Sequence, residues 1–209
     1  MYVDWAPAVG FINQQYSVFS SSAGWEDMKF KDHYALMFGI HIDFKPVALS
    51  DKFRIQLAIN TFKQQVEGSL KVNDAGVFIS DIDCKAQYLN FKLGVRYVYP
   101  KFMVRPYLGI FGETYTMLSY SGSYVVSKLD ENDISEVIYE GNPEMLRGYM
   151  GYGLNFGFEI MTGEKSKIAL NGTYSYGTYD KPFDSGSNAY INEFTIKTLS
   201  TQLAFYFRL

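Results

Sequence analysis

The sequence predicts an all-β protein: an eight-stranded antiparallel up-and-down transmembrane β-barrel with four long loops on one side and three short turns on the other. Three observations carry this. Apolar and polar residues alternate at period two in eight stretches, which is the pattern of half-buried strands. The connections between those stretches alternate long and short, as in outer-membrane barrels. Glycines and charges of both signs gather on the face opposite the large apolar side chains. A chain of 209 residues suits a single all-β domain, here 1–209.

The C-terminal stretch states the pattern most plainly. Leu199, Thr201, Leu203, Phe205, Phe207 and Leu209 share one face; Ser200, Gln202, Ala204, Tyr206 and Arg208 share the other. Such a strand needs a partner for its edge and an apolar medium for its face, and a closed barrel in a membrane supplies both.

In chain order, the first strand carries Trp5, Pro7, Val9 and Phe11 on one face, and Tyr16 and Val18 in the opposite phase, so a bulge is expected near Ile12 to Gln14. Residues 21–32 read as a polar loop. The second strand sets Tyr34, Leu36, Phe38, Ile40, Ile42 and Phe44 against Ala35, Met37, Gly39, His41 and Asp43, and stops at Pro46. The third sets Phe53, Ile55, Leu57 and Ile59 against Arg54, Gln56, Ala58 and Asn60; 66–83 then reads as a long polar loop.

The fourth strand has Leu89, Phe91, Leu93, Val95 and Tyr97 against Asn90, Lys92, Gly94 and Arg96, and Pro100-Lys101 makes a tight turn. In the fifth, Val104, Leu108 and Ile110 oppose Arg105, Tyr107, Gly109, Phe111 and Glu113, and Pro106 suggests a local irregularity. The longest loop is 120–146, acidic through Asp130, Glu131, Asp133, Glu136, Glu140 and Glu144. The sixth strand sets Met150, Tyr152, Leu154, Phe156, Phe158 and Ile160 against Gly151, Gly153, Asn155, Gly157 and Glu159. A hairpin turn at Thr162–Lys165 leads to the seventh, with Ile168, Leu170, Tyr174 and Tyr176 on one face. A loop with Pro182, Gly186 and Asn188 follows. The last strand begins near Tyr190, and a second bulge is expected because Phe194 and Ile196 are out of phase with Leu199.

The apolar runs of about eleven residues match what a tilted strand needs to cross a bilayer. A soluble barrel of the lipocalin kind would also alternate, with its apolar face inward. Gly39, Gly94, Gly109, Gly151, Gly153 and Gly157 oppose that reading, because a narrow interior needs small residues and a solvent face does not. The apolar face is also too bulky for eight strands to enclose. The lipid-facing or packing surface is therefore expected at Tyr34, Phe38, Ile42, Phe91, Leu93, Phe156, Phe158, Phe205 and Phe207. A barrel-interior polar network is expected at Arg54, Lys92, Arg96, Arg105, Glu113 and Glu159. Turning Lys92 or Arg96 toward lipid at mid-depth would cost roughly 2–4 kcal/mol each, which forces the orientation.

The chain resembles the small PorT-like/OmpX-like outer-membrane β-barrels. The resemblance rests on the strand count, on Arg-Pro-Tyr-Leu-Gly-Ile at 105–110, on Gly151–Ile160 and on the aromatic C-terminal strand, and it covers nearly the whole chain. One departure is the terminus: many such barrels end in Phe or Trp, and this one ends in Leu209, with Phe205 and Phe207 keeping the phase. The resemblance implies the bacterial outer membrane as location. The N-terminus shows no basic region before an apolar run, so the chain is read as a mature form with its signal peptide removed.

Composition excludes several function classes. A net charge of −3 implies no attraction to nucleic acid. The single Cys84 has no CxxC or Cys/His spacing around it, and no cofactor or metal site is expected. The expectation is a non-enzymatic barrel whose loops, above all the acidic residues Asp130, Glu131, Asp133, Glu136 and Glu140, bind a partner or an external ligand, in the setting of a larger envelope or secretion complex. Its expected partners are outer-membrane lipid, an envelope protein, and the insertion machinery through the C-terminal strand. The alternatives are a membrane-embedded hydrolase or acyltransferase using His33 or His41 with a serine and an acid, and the soluble ligand-binding barrel.

Overall fold

A computed structural model describes residues 2–19, 29–46, 52–71, 77–100, 103–130, 133–140, 148–180 and 193–209. Ten strands follow in order: β1 (Tyr2–Phe19), β2 (Lys29–Phe30), β3 (Tyr34–Lys45), β4 (Phe53–Lys71), β5 (Val77–Val98), β6 (Val104–Asp130), β7 (Asp133–Glu140), β8 (Gly148–Met161), β9 (Ser166–Asp180) and β10 (Glu193–Arg208). Eight of them, all but β2 and β7, form an antiparallel closed barrel in which each strand pairs with both neighbours. β1 pairs with β10, so the two ends of the chain close the sheet and no barrel strand is left with an open edge. At the seam, Leu209 N–H donates to Val3 C=O at 3.1 Å and the Arg208 side chain reaches Asp4 at 3.2 Å.

The outer face is apolar. Tyr34 is 75% exposed and Leu93 60%, and Phe38, Phe91, Phe156, Phe158, Phe205 and Phe207 all stand outward, with Ile42 half-buried beside them. The inner face holds the charges, the carboxamides and most of the glycines. This is the reverse of a soluble ligand-binding barrel, which puts its apolar side chains inside.

Neither expected bulge is present in β1 or β10. The β1–β10 register runs without a break from Asp4↔Arg208 to Phe19↔Glu193. The off-phase residues Tyr16 and Ile196 simply point inward, 6% and 1% exposed, because that end of the interior is itself apolar. Pro106 causes no slip either: it lies on the exposed outer face, paired with Phe158 in continuous register, and its C=O accepts from Tyr99 N–H at 2.9 Å. Among the barrel strands the irregularity sits elsewhere, between Gln87/Tyr88 on β5 and Ser119/Met117 on β6, leaving Leu118 as the extra residue; the β6–β7 pairing shifts register at Val126/Ser127 and Lys128/Leu129 as well.

Two expected loops are largely strand. β4 and β5 stay paired from Phe53↔Tyr97 out to Lys71↔Ile79, so most of 66–83 is hairpin. Within 120–146, β6 continues to Asp130 and β7 pairs back on it, with Asp130↔Asp133 and Lys128↔Glu136. Polar sequence misled the reading there, because a strand outside the membrane needs no apolar face. Part of 21–32 is also strand: β2 pairs Lys29 with Ser69 on β4. Glu131, Glu144, Lys101 and the loop residues Pro182, Gly186 and Asn188 lie outside the described residues. The turn at 162–165 is closed by Thr162 N–H donating to Ser166 C=O at 3.1 Å.

Candidate functional site: the barrel interior and the extended sheet

The interior is built in three layers, each from the inward phase of several strands. Nearest the chain termini lies an ion cluster. Arg96 on β5 donates to Asp43 on β3 and lies 3.5 Å from Glu159 on β8. Lys167 on β9 meets Asp43 and Glu159, both at 3.0 Å, and Asp4 at 3.3 Å. The aromatic rings of Tyr107 and Tyr206 lie against the Arg96 guanidinium, with centroids at 4.5 and 5.7 Å. Buried charges are tolerable only when paired in this way.

The middle layer is polar. Glu113 on β6 accepts from Asn90 at 3.1 Å, from Tyr115 at 3.0 Å and from Ser175, and pairs with Lys92 at 3.5 Å. Lys92 also donates to Thr173 at 3.2 Å. Asn60 donates to Asn90 at 3.0 Å and accepts from Gln202 at 2.9 Å.

The third layer, toward the opposite end, is aromatic. Tyr16, Phe62, Tyr88, Tyr115 and Tyr149 pack with Met37, Val66 and Ile196. Tyr115 stacks on Tyr149 with centroids 4.2 Å apart. Gln14 donates to the Tyr149 hydroxyl and accepts from Tyr16 at 2.8 Å, so the hydroxyls of these rings are not left unpaired.

Of the six residues expected in the interior network, Lys92, Arg96, Glu113 and Glu159 are buried, and they meet as two pairs in different layers, Lys92 with Glu113 and Arg96 with Glu159. Arg54 and Arg105 face inward in phase but are half-buried at the terminal end, where Arg54 donates to Phe53 C=O at 2.9 Å. Sequence reasoning missed Asp4, Lys167 and the aromatic layer. Lys167 could have been found, since it shares the phase of Ala169 and Asn171. Tyr88, Tyr115 and Tyr149 likewise share the phase of Asn90, Glu113 and Gly151.

His41 is 2% exposed, with Nε2 3.4 Å from Asn60 Oδ1 and no hydrogen-bond partner at Nδ1. His33 lies 3.6 Å from Glu67, and its Nε2 has no hydrogen-bond partner. Among the described residues, then, neither histidine is hydrogen-bonded to a serine. Glu67, outside the membrane-spanning part, is also held by Lys31, whose hydrogen bond keeps its carboxyl below the usual carboxylate range. Cys84, at the same end, is 1% exposed, and burial pushes its thiol up to about 12.

The acidic residues are placed by backbone register. Asp130 ends β6, while Asp133, Glu136 and Glu140 lie on β7 opposite Asp130, Lys128 and Val125. They belong to a sheet that projects beyond the lipid-facing belt.

Neither a protein-family model nor a curated protein sequence matches the chain. Solved structures do. The chain is similar to the outer membrane protein OprG from Pseudomonas aeruginosa, at 13% identity, covering 99% of this chain and 95% of that one with a TM-score of 0.50. It is also similar to the outer membrane protease OmpT from Escherichia coli, at 8% identity, covering 100% and 97% with a TM-score of 0.59. The fold is that of integral bacterial outer-membrane β-barrels. In that setting the aromatic outer face meets lipid, and the three filled layers leave the barrel packed with its own side chains rather than open as a pore.

Proposed function

We propose that this barrel is a non-enzymatic outer-membrane platform of the small PorT-like/OmpX-like kind, whose extended β4–β7 sheet binds a partner protein or external ligand within a larger envelope complex. The observation that carries this is strand length. β6 spans 27 residues, whereas a strand needs only about 9–11 to cross a bilayer. β5 and β6 remain paired from Val98↔Tyr107 to Val77↔Leu129. Outward positions turn polar at Lys63 and Lys85, and Lys85 pairs with Ser121, so Ser121 to Asp130 of β6 stand clear of lipid, roughly 3.3 Å of reach for each residue.

Composition supports the same reading. Along the described outer halves of β4, β5 and β6 and along β7, Glu67, Asp81, Asp83, Asp130, Asp133, Glu136 and Glu140 outnumber Lys63, Lys71, Lys85 and Lys128. The outward Phe205 and Phe207 on β10 suit engagement by an insertion machinery through the C-terminal strand.

Site-specific photo-crosslinking in whole cells tests the proposal. Probes placed within 121–145 should each trap the same envelope protein, and deleting 121–145 should abolish the crosslink while the barrel keeps its compact, heat-modifiable form on gels. An intact barrel whose probes trap nothing in 121–145 would overturn it.

A further inference from the structure

Between the ion cluster and the aromatic layer the interior holds a small cavity, with ≈ 20 Å³ of room for a water centre, lined by His41, Lys92, Asn155, Asn171, Thr173 and Gln202 among others. Three of these side chains, 2%, 4% and 4% exposed, each carry one buried polar atom without a hydrogen-bond partner: His41 Nδ1, Asn155 Oδ1 and Asn171 Nδ2. A polar atom left unmatched in a membrane-embedded core keeps its full desolvation cost.

Their other bonds fix what each atom needs. His41 Nε2 faces Asn60 Oδ1, which already accepts from Gln202. Two acceptors do not bond, so Nε2 carries the proton. With Nε2 protonated, the neutral ring leaves Nδ1 an acceptor. Asn155 Nδ2 donates to Gln56 Oε1 at 3.0 Å, which leaves Oδ1 an acceptor. Asn171 Oδ1 accepts from the Tyr107 hydroxyl, which leaves Nδ2 a donor.

We propose that this cavity is a binding site for a single water molecule that donates to His41 Nδ1 and Asn155 Oδ1 and accepts from Asn171 Nδ2. The volume suits it: one water needs about 10–15 Å³ on this measure, so a second does not fit comfortably and an organic ligand does not fit at all. The polarity suits it too. A bare cation would face the Asn171 N–H and the Lys92 ammonium, and a halide would face two lone pairs. Water matches two acceptors and one donor. The bound water ties β3 to β8 and β9 across the barrel and completes the middle layer.

The test uses the full barrel refolded in lipid nanodiscs with ¹⁵N-labelled histidine. The expected result is a neutral, Nε2-protonated His41 with a magnetisation-transfer peak from a long-lived water at its ring. That peak should vanish in Asn155→Leu and Asn171→Leu while the His41 tautomer signal persists. Crystals soaked in bromide or rubidium should show no anomalous peak in the cavity. A folded wild-type barrel lacking the water peak, an Nδ1-protonated tautomer, or an anomalous ion peak in the cavity would each overturn the site. The wild-type spectrum decides the matter even if both leucine variants fail to fold.

Discussion

The Arg96 guanidinium, anchored on β5, donates to the Asp43 carboxylate on β3, and both side chains are closed off from solvent. Neither charge would be tolerated there alone. Removing one partner of a buried pair costs about 3–5 kcal/mol, because the other charge stays behind. Arg96→Met should therefore lower the unfolding free energy by about that amount in urea titrations followed by fluorescence and gel mobility. Lys167 still neutralises part of Asp43 and Glu159, so Arg96→Met with Lys167→Met should cost more than either alone. Adding Asp43→Asn to Arg96→Met should recover part of the loss.

Tyr107 on β6 lies opposite Gly157 on β8: a Cβ at residue 157 would fall 2.0 Å from the Leu170 carbonyl oxygen and 2.6 Å from the tyrosine hydroxyl. The same hydroxyl is committed to Asn171 and, at 3.1 Å, to Leu170 C=O. Gly157→Ala should destabilise the barrel by roughly 1–3 kcal/mol, as overpacking does. Gly163→Ala, in the turn where a Cβ would meet only the Ser166 hydroxyl at 3.0 Å, should be nearly neutral by the same measurement.

Leu93 is 60% exposed on the outer face, between inward Lys92 and Gly94. Leu93→Arg should cost roughly 2–4 kcal/mol near mid-depth. Refolding yield into lipid vesicles and urea titration both report it. Lys85→Glu, beyond the belt, should leave stability close to wild type.

Cys84 combines near-complete burial with a thiol pushed up to about 12 by desolvation and by neighbouring Asp83. At pH 8 the thiol is held protonated, and the thiolate is the reactive form. Maleimide should therefore leave the folded barrel unlabelled over hours and label it promptly in urea, which makes Cys84 a reporter of unfolding at that end.

β2 is held to β4 by Lys31 N–H donating to Glu67 C=O at 2.9 Å and by the side-chain pairs from Lys31 and His33 to Glu67. The hydrogen bond from Lys31 lowers the Glu67 pKa below its ordinary 4.5. A carboxyl whose folded value is depressed stabilises fully above the ordinary value and loses that contribution as pH falls through the folded one. Amide exchange at Lys31 should accelerate below about pH 4.5, beyond the intrinsic rate change. Glu67→Gln should remove the extra acceleration and exchange faster at neutral pH.

Alternation, connection lengths and the placement of charge determined the eight barrel strands, their antiparallel order and the inside–outside assignment. Period two fixes which residues share a face, and the cost of charge in lipid fixes which face turns inward. That logic held for Phe38, Phe91 and Phe205 outside and for Arg96 and Glu159 inside. It failed where the medium stops being lipid. Beyond Lys63 and Lys85 the outer face has no lipid to meet, so β7 and the ends of β4, β5 and β6 lose the regular alternation and read as loop. It also failed at Tyr16 and Ile196, whose off-phase positions imply a bulge only if the whole interior is polar.

Only the tertiary structure decided which inward residues meet. Asp43, Arg96 and the Glu159–Lys167 hairpin pair lie on four strands and in three distant parts of the chain, and the shear of the closed barrel brings them to one level. The β6–β8 register sets Tyr115 opposite Tyr149, and closure turns single residues of each strand into three layers. Facing is a property of one strand and is written in its sequence; height and neighbourhood depend on the register of eight strands at once.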